Sequence, residues 1–593
     1  MNLVVPHTGA LQASDARLIR LAQFLGISCE PVFLDKQAQP DAEYIEKVFS
    51  EQNSCIVVNP RVIKEWTGGS LAPDLVSCLA THFPYLLVHS LAADPFCDDL
   101  IRGLSAGHLH SVRPIADADH LYEIATDCRE VCGTFSGILF GPVNPANDHI
   151  LPVNIDNAAV RTPISIGGSP FMAVMKREKT EILFLASTET LDANCEIGNS
   201  PLSEYFSRFV PHAMALRYIF GDLCWHPGEH HASFTIDDPL LWPNYGFLNF
   251  ESLLHLMNEY NFCTTIAFIP HNYRRNSRRI VQMFRENSSR FAICFHGNDH
   301  TAEELASADI SQLNTIIGIA EARMDIHRRT TGLHCNNVMV FPQEHFSVEA
   351  MKVLKARNFR AAVCSTPHPA HHPVALTLGE LAQPALLRHG GFPLFLRKYV
   401  RETKRQDIAF NLFFGRPVLI VDHHDVFRRP EPLLEVVSMV NSVAPNIRWS
   451  DLETAVTNSI LRRTTPDSCC HIRAYSGTVR IANDLHAPQH YSIEWNHSGQ
   501  YPSVERVLKG GEPLQFFGVD DCGIRLSVEL TPGSFQEFSV VYRNNYSRLE
   551  GLGFHWNAKA YLRRRICELR DNYISKNRHA TALAEALRRR VLS

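Results

Sequence analysis

The chain has 593 residues, too many for one hydrophobic core, so about three or four domains are expected. Apolar residues make up 45% and charged residues 20%, a globular balance, and the net charge of −5 argues against bulk nucleic-acid binding. No run approaches the roughly 18 apolar residues of a transmembrane segment, and the opening M-N-L-V-V-P-H-T-G lacks the regions of a signal peptide, so a cytoplasmic location is expected. The sixteen cysteines are scattered apart from Cys469-Cys470, which in that compartment predicts reduced thiols.

Residues 1–200 alternate strand and helix signals. Leu3–Pro6, Pro31–Leu34, Cys55–Asn59 and Tyr85–His89 are short apolar runs, and Asp15–Leu25 has helical spacing with Ser14 placed to cap it. The pattern predicts an open α/β (flavodoxin/Rossmann-like) domain with a largely parallel sheet. Phe171–Lys176 and Glu181–Ala186 predict a hairpin. S-I-G-G-S-P at Ser165–Pro170 is read as a turn, since neither phosphate-loop pattern is present. His7 and Thr8 end the first strand and are candidates for lining a crevice.

Pro201–Leu223 predicts a connecting helix. Between 201 and 463 about seven strand-then-helix units follow, the signature of a closed or nearly closed barrel. An insert from Thr366 to about Arg416 interrupts them, beginning with the His-rich T-P-H-P-A-H-H-P, read as a loop. Residues 470–546 alternate short strands with turns and predict a β-sandwich. The tail, 550–593, is helical and basic, with R-R-R at 563–565 and 588–590. It is a candidate for a peripheral membrane or protein contact, or for a helix packed on its own protein.

Two barrel strands stop at ligand-type residues. A-S-F-T-I-D-D-P-L ends in Asp237 and Asp238, and F-A-I-C-F-H-G-N-D-H-T carries His296 and His300. Two imidazoles spaced to share a face, with one carboxylate from a neighbouring strand, suit zinc or another first-row divalent ion and leave a position open for water. Asp238 fits as the carboxylate. Asp237 is then free to act as a general base. Trp242 and Tyr245 follow and are candidate sugar-stacking aromatics.

T-I-D-D-P at Thr235–Pro239, H-G-N-D-H at His296–His300, F-P-Q at Phe341–Gln343 and the strand end Val421–His424 resemble the ordered motifs of the polysaccharide deacetylase (NodB-homology) family over about 200–455. The resemblance implies a distorted (β/α)7 barrel and metal-dependent removal of N- or O-acetyl groups from a glycan or an acetylated amino-sugar precursor. It implies Asp237 as base, Asp238, His296 and His300 as metal ligands, and His423 or His424 as the acid. Zn2+ is the expected ion, with Co2+, Mn2+, Ni2+ and Fe2+ as alternatives. A backbone N–H near Gln343 would serve the oxyanion.

Three departures stand out. Leu240 follows Pro239 where the family continues with Gly-Pro. Gly297 replaces a Ser or Thr. Val340 and Phe341 occupy the place of the arginine that orients the base, leaving Arg397 and Arg401 on the insert as candidates. The competing readings are a metal amidohydrolase acting on a non-sugar amide and a non-catalytic scaffold of the same fold.

Overall fold

The computed structural model describes residues 1–38, 41–49, 54–116, 118–153, 158–198, 200–301, 303–496, 504–515, 517–520, 523–544 and 558–577. Contacts divide the chain into two units. The first is Met1–His226 with Ala375–Ala382 and Arg462–Asp467. The second is Pro227–Val374, Gln383–Leu461 and Ser468–Ser593. The fold is α/β and multidomain: an open α/β region, then a distorted (β/α)7 barrel, then a β-sandwich with a helical tail. Among the described residues no helix is long and apolar enough to cross a membrane.

The first unit is built on a nine-stranded sheet. Asn2–His7, Cys29–Phe33, Ser54–Val58, Tyr85–Val88 and Thr180–Leu185 run parallel, and Ser169–Arg177 and Val160–Ile166 continue it antiparallel. Only half of the sheet is therefore parallel. The two glycines of S-I-G-G-S-P form the turn between its last two long strands, at φ +55° and +77°, the left-handed values a tight hairpin needs. Ser14 is not the helix cap. The helix begins at Ala13 behind Gln12, and the Ser14 hydroxyl accepts a hydrogen bond from Asn59 Nδ2 at 3.3 Å. The helix expected over Pro201–Leu223 is Phe206–Phe220 with a 3-10 turn at each end, and it belongs to the first unit.

In the second unit the strands His231–Asp237, Thr264–Phe268, Phe291–His296, Cys335–Val340, Ala361–Cys364 and Val418–Asp422 are joined by parallel pairing. Each is a short apolar run buried along most of its length, as a strand covered on both faces requires. The seventh strand lies inside the stretch expected to be an insert. Leu394–Leu396 pairs with Ala361–Cys364, and Lys398–Tyr399 pairs with Val418–Asp422. One short piece of chain, broken at Arg397, thus reaches both edges of the sheet and nearly closes it. The insert also holds the helix Arg405–Phe413.

The sandwich stacks two sheets around Trp495, Phe538, Ile493, Val507 and Leu526. Strands at Thr478–Ala482, Gln489–Asn496, Gly523–Leu530 and Phe535–Tyr542 match the sequence expectation closely. Cys470–Ala474 and Val504–Lys509 add to them. The tail forms a helix, Ala558–Leu569, continued by a π-turn at Arg570–Ile574. The second arginine triplet, 588–590, lies outside the described residues. The described cysteines are free thiols.

Candidate metal and catalytic site

Every residue of the candidate site is delivered by the carboxyl end of a barrel strand. Asp237 is the last residue of its strand and is buried. Asp238 follows with φ +80°, and His300 has φ +54°. Left-handed backbone at two non-glycine residues costs on the order of 1–2 kcal/mol each. Here both strained residues present ligand atoms. His296 ends the Phe291–His296 strand just after a register shift between Cys294 and Phe295, an irregularity of the kind that re-aims a side chain. Its Nδ1 donates to the Val340 carbonyl at 3.1 Å, which leaves the Nε2 lone pair facing Asp238 Oδ1 at 3.5 Å. His300 Nε2 lies 3.1 Å from the same oxygen.

The H-G-N-D-H turn is wrapped around one carboxylate. The amides of Asn298, Asp299 and His300 donate to Glu304 at 2.9, 3.0 and 3.0 Å. Arg323 donates to Asn298 and Asp299 at 2.6 and 2.5 Å. Gly297 has φ +60°, and a Cβ there would stand 2.1 Å from Glu304 Oε1 and 2.3 Å from Pro342 Cγ. Glycine at this position is therefore dictated by the turn that carries both histidines.

Ligand atoms of Asp238, His296 and His300 all lie within 4.8 Å of one another. Asp238 Oδ1 is buried and accepts no hydrogen bond. A buried carboxylate oxygen without a donor is costly, and a cation between the three groups would satisfy it. The donor set fits a first-row divalent ion. The electrostatics agree. Burial would raise the Asp238 carboxyl, but His300, His296 and Arg564 hold it well below the usual carboxylate range. Burial pushes His300 down to about 4, so the imidazole is neutral near pH 7, as a ligand must be.

Asp237 is clasped by Arg397, whose Nη1 and Nη2 donate to Oδ1 and Oδ2 at 2.8 and 2.6 Å, with both side chains buried. Burial would raise this carboxyl too. Arg397 first, then His296, bring it below the ordinary value, so it stays ionised. The arginine absent from the third motif is thus supplied from the strand that closes the barrel. Arg401 instead lines a cleft of about 1020 Å3 together with Phe247, Tyr399, Asp422 and His423. His423 stacks on Tyr399 with ring centroids 6.2 Å apart. His424 is buried, its Nε2 3.5 Å from Asp571 and its ring against Tyr245.

The barrel is similar to that of the polysaccharide deacetylases. Agd3, a carbohydrate deacetylase, aligns with a TM-score of 0.47 and 9% identity over 91% of this chain and 98% of its own. The family 4 carbohydrate esterase of Streptomyces lividans gives 0.23 and 11% over 37% and 90%. The Bc1960 peptidoglycan N-acetylglucosamine deacetylase gives 0.22 and 14% over 38% and 94%. No family model and no curated protein matches the sequence.

Trp242 is exposed, and Gln343 is exposed in the turn after the Cys335–Val340 strand. Tyr245 is buried and donates its hydroxyl to Asp571 at 3.0 Å, so its ring is not presented for stacking. Sequence reasoning missed Glu304, whose signal was an acid four residues beyond His300. It also missed the placement of Arg564 and Asp571, which lie 326 and 147 residues downstream of Asp238 and His424; the arginine triplet marked a basic helix but not what it touches.

Proposed function

We propose that the protein is a metal-dependent hydrolase that removes acetyl groups from an N- or O-acetylated glycan or glycan precursor. The observation that carries this reading is one constellation at one barrel rim. Asp238, His296 and His300 converge, and beside them Asp237 is held ionised and aimed by Arg397. A divalent ion, most simply Zn2+, would be held by the first three and would supply Lewis-acid chemistry. Asp237 takes the proton of the attacking water. His423, which lines the open cleft, or His424, which stands beside Asp571, returns a proton to the departing amine or alcohol. The cleft, lined by Phe247 and Tyr399, would receive the sugar.

The scaffold reading drew its support from the absent arginine, and Arg397 removes that support. A buried, bidentate partner that holds Asp237 ionised supports the hydrolase reading over the scaffold. The test measures metal content and acetate release from N-acetylated oligosaccharides. Wild type should hold one equivalent of metal and release acetate. Asp237→Asn should keep the metal and lose turnover, whereas His296→Ala should lose both. Stoichiometric metal without acetate from any glycan would transfer the reading to a non-sugar amide. No metal at all would overturn it.

A further inference from the structure

The C-terminal helix is built inside out. Surface helices turn apolar residues inward and charged residues outward. Here the inward face, beside Ala560 and the half-buried Cys567 and Ile574, carries several charged and polar groups. Arg564 is buried with Nη1 3.8 Å from Asp238 Oδ1. Glu568 forms a two-point ion pair with Arg275. Asp571 accepts from Tyr245 and stands 3.5 Å from His424 Nε2, and Asn572 Oδ1 accepts from the Gly246 amide at 2.9 Å. These contacts lay the helix over the candidate site. A guanidinium sits beside one metal-ligand candidate, and a carboxylate occupies one of the two candidate acids.

The opposite face is apolar and bare. Leu562, Ile566, Leu569 and Tyr573, spaced to form one stripe, are 60, 58, 53 and 70% exposed. Arg565 and Arg570 are exposed and Arg563 half-buried along the borders of that stripe. An apolar stripe with an aromatic at one end and basic borders is the pattern of a helix that lies in a bilayer interface, where the borders meet lipid phosphates. No apolar burial secures the stripe to the barrel. The helix is held by buried polar and ionic contacts and by the buried Ala560, so a surface that lifts it must outweigh them by taking up the whole stripe together with its basic borders.

We propose that this helix is a partial inhibitory cover over the barrel mouth, which leaves a basal turnover in the free protein, and that an anionic lipid surface lifts it by taking up the Leu562–Tyr573 stripe. The inference rests on the proposed function for what the cover inhibits. Its test reads lipid binding and amide exchange rather than turnover, so failure of the hydrolase reading would appear separately.

The full-length protein is mixed with vesicles of phosphatidylcholine containing phosphatidylglycerol, and with phosphatidylcholine alone. Vesicle sedimentation and hydrogen exchange at Gly246, whose amide is bonded to the cover, are recorded. The anionic vesicles should pellet the protein and raise Gly246 exchange about tenfold or more, since lifting the helix leaves that amide open to solvent. Neutral vesicles should do neither. Leu562→Glu with Ile566→Glu, both on the exposed face, should abolish both effects. Absence of binding to anionic vesicles overturns the proposal. So does binding that leaves Gly246 exchange unchanged, which would make the helix an anchor and not a cover.

Discussion

Arg397 shows how much of the proposed site can rest on one side chain outside the candidate ligand set. Its guanidinium does two things to Asp237: it fixes the plane of the carboxylate by a bidentate bond, and it keeps a buried acid ionised. Removing it leaves a buried negative charge with its main partner gone. Arg397→Ala should therefore destabilise the second unit by about 3–5 kcal/mol. It should lower acetate release by about a hundredfold or more, because base and water lose their alignment. Metal affinity, set by Asp238, His296 and His300, should change little. Denaturant melts, turnover and metal titration on the same variant separate the three effects. Gly297 gives the complementary case. Gly297→Ala forces a Cβ into Glu304 and Pro342 at a left-handed φ. A loss of about 1–3 kcal/mol is expected, and the displaced turn should weaken metal binding, read by titration, more than it weakens the fold.

At the scale of elements, the decisive piece is the broken strand Leu394–Tyr399. Leu396 pairs with Cys364, Lys398 pairs with Ile420, and Arg397 between them faces the barrel interior. Side chains alternate along a strand, so one added residue sends the next side chain to the other face. Inserting a single alanine between Leu396 and Arg397 should turn the guanidinium away from Asp237. Activity should fall as far as in Arg397→Ala while metal binding persists. Equal loss of both would mean that the strand holds the barrel shut rather than aiming one residue. This element was also the hardest to read. The other barrel strands are apolar runs of four to seven residues, such as Thr264–Phe268, three of which end at Asp or His, and periodicity located them. Leu394–Tyr399 follows Pro393, is interrupted by an arginine, and sits behind a proline- and histidine-rich loop, so its local signal is that of a connection. The candidate triad was legible as a group because each member lies at or shortly after a strand end in a short motif. The arginine partner was not, because its distance of 160 residues from Asp237 is closed only by the barrel. The covering helix was legible as a basic helix. Which face it turned inward was not, since its apolar stripe suggested the reverse.

For the whole molecule, the division into two units predicts two separately addressable transitions on unfolding. The first unit carries an acid-sensitive group of its own, apart from His300 of the candidate site, which burial also pushes down. His212 is fully buried, its Nε2 bonded to Thr190 Oγ1 at 3.1 Å, and burial, with His89 beside it, pushes it from 6.5 down to about 3. In the unfolded chain this imidazole takes up a proton below pH 6.5. In the folded unit it stays neutral until about pH 3. Across that window the unfolded state binds more protons, so stability rises with pH and is lost as pH falls. The loss should reach about 2 kcal/mol by about pH 5, and His212→Leu should flatten that limb. The second unit answers to a different variable. A divalent ion at a hundred times its dissociation constant should stabilise the second unit by about 2.7 kcal/mol, and chelation should remove that increment. His300 gives the second unit an acid response as well, so calorimetry with and without chelator should move the second unit's transition with metal, while the acid-sensitive transition that His212→Leu flattens should not respond to chelator. If chelator shifts the acid-sensitive transition as far as the other, the ion is bound where the first unit feels it, and the assignment to Asp238, His296 and His300 fails.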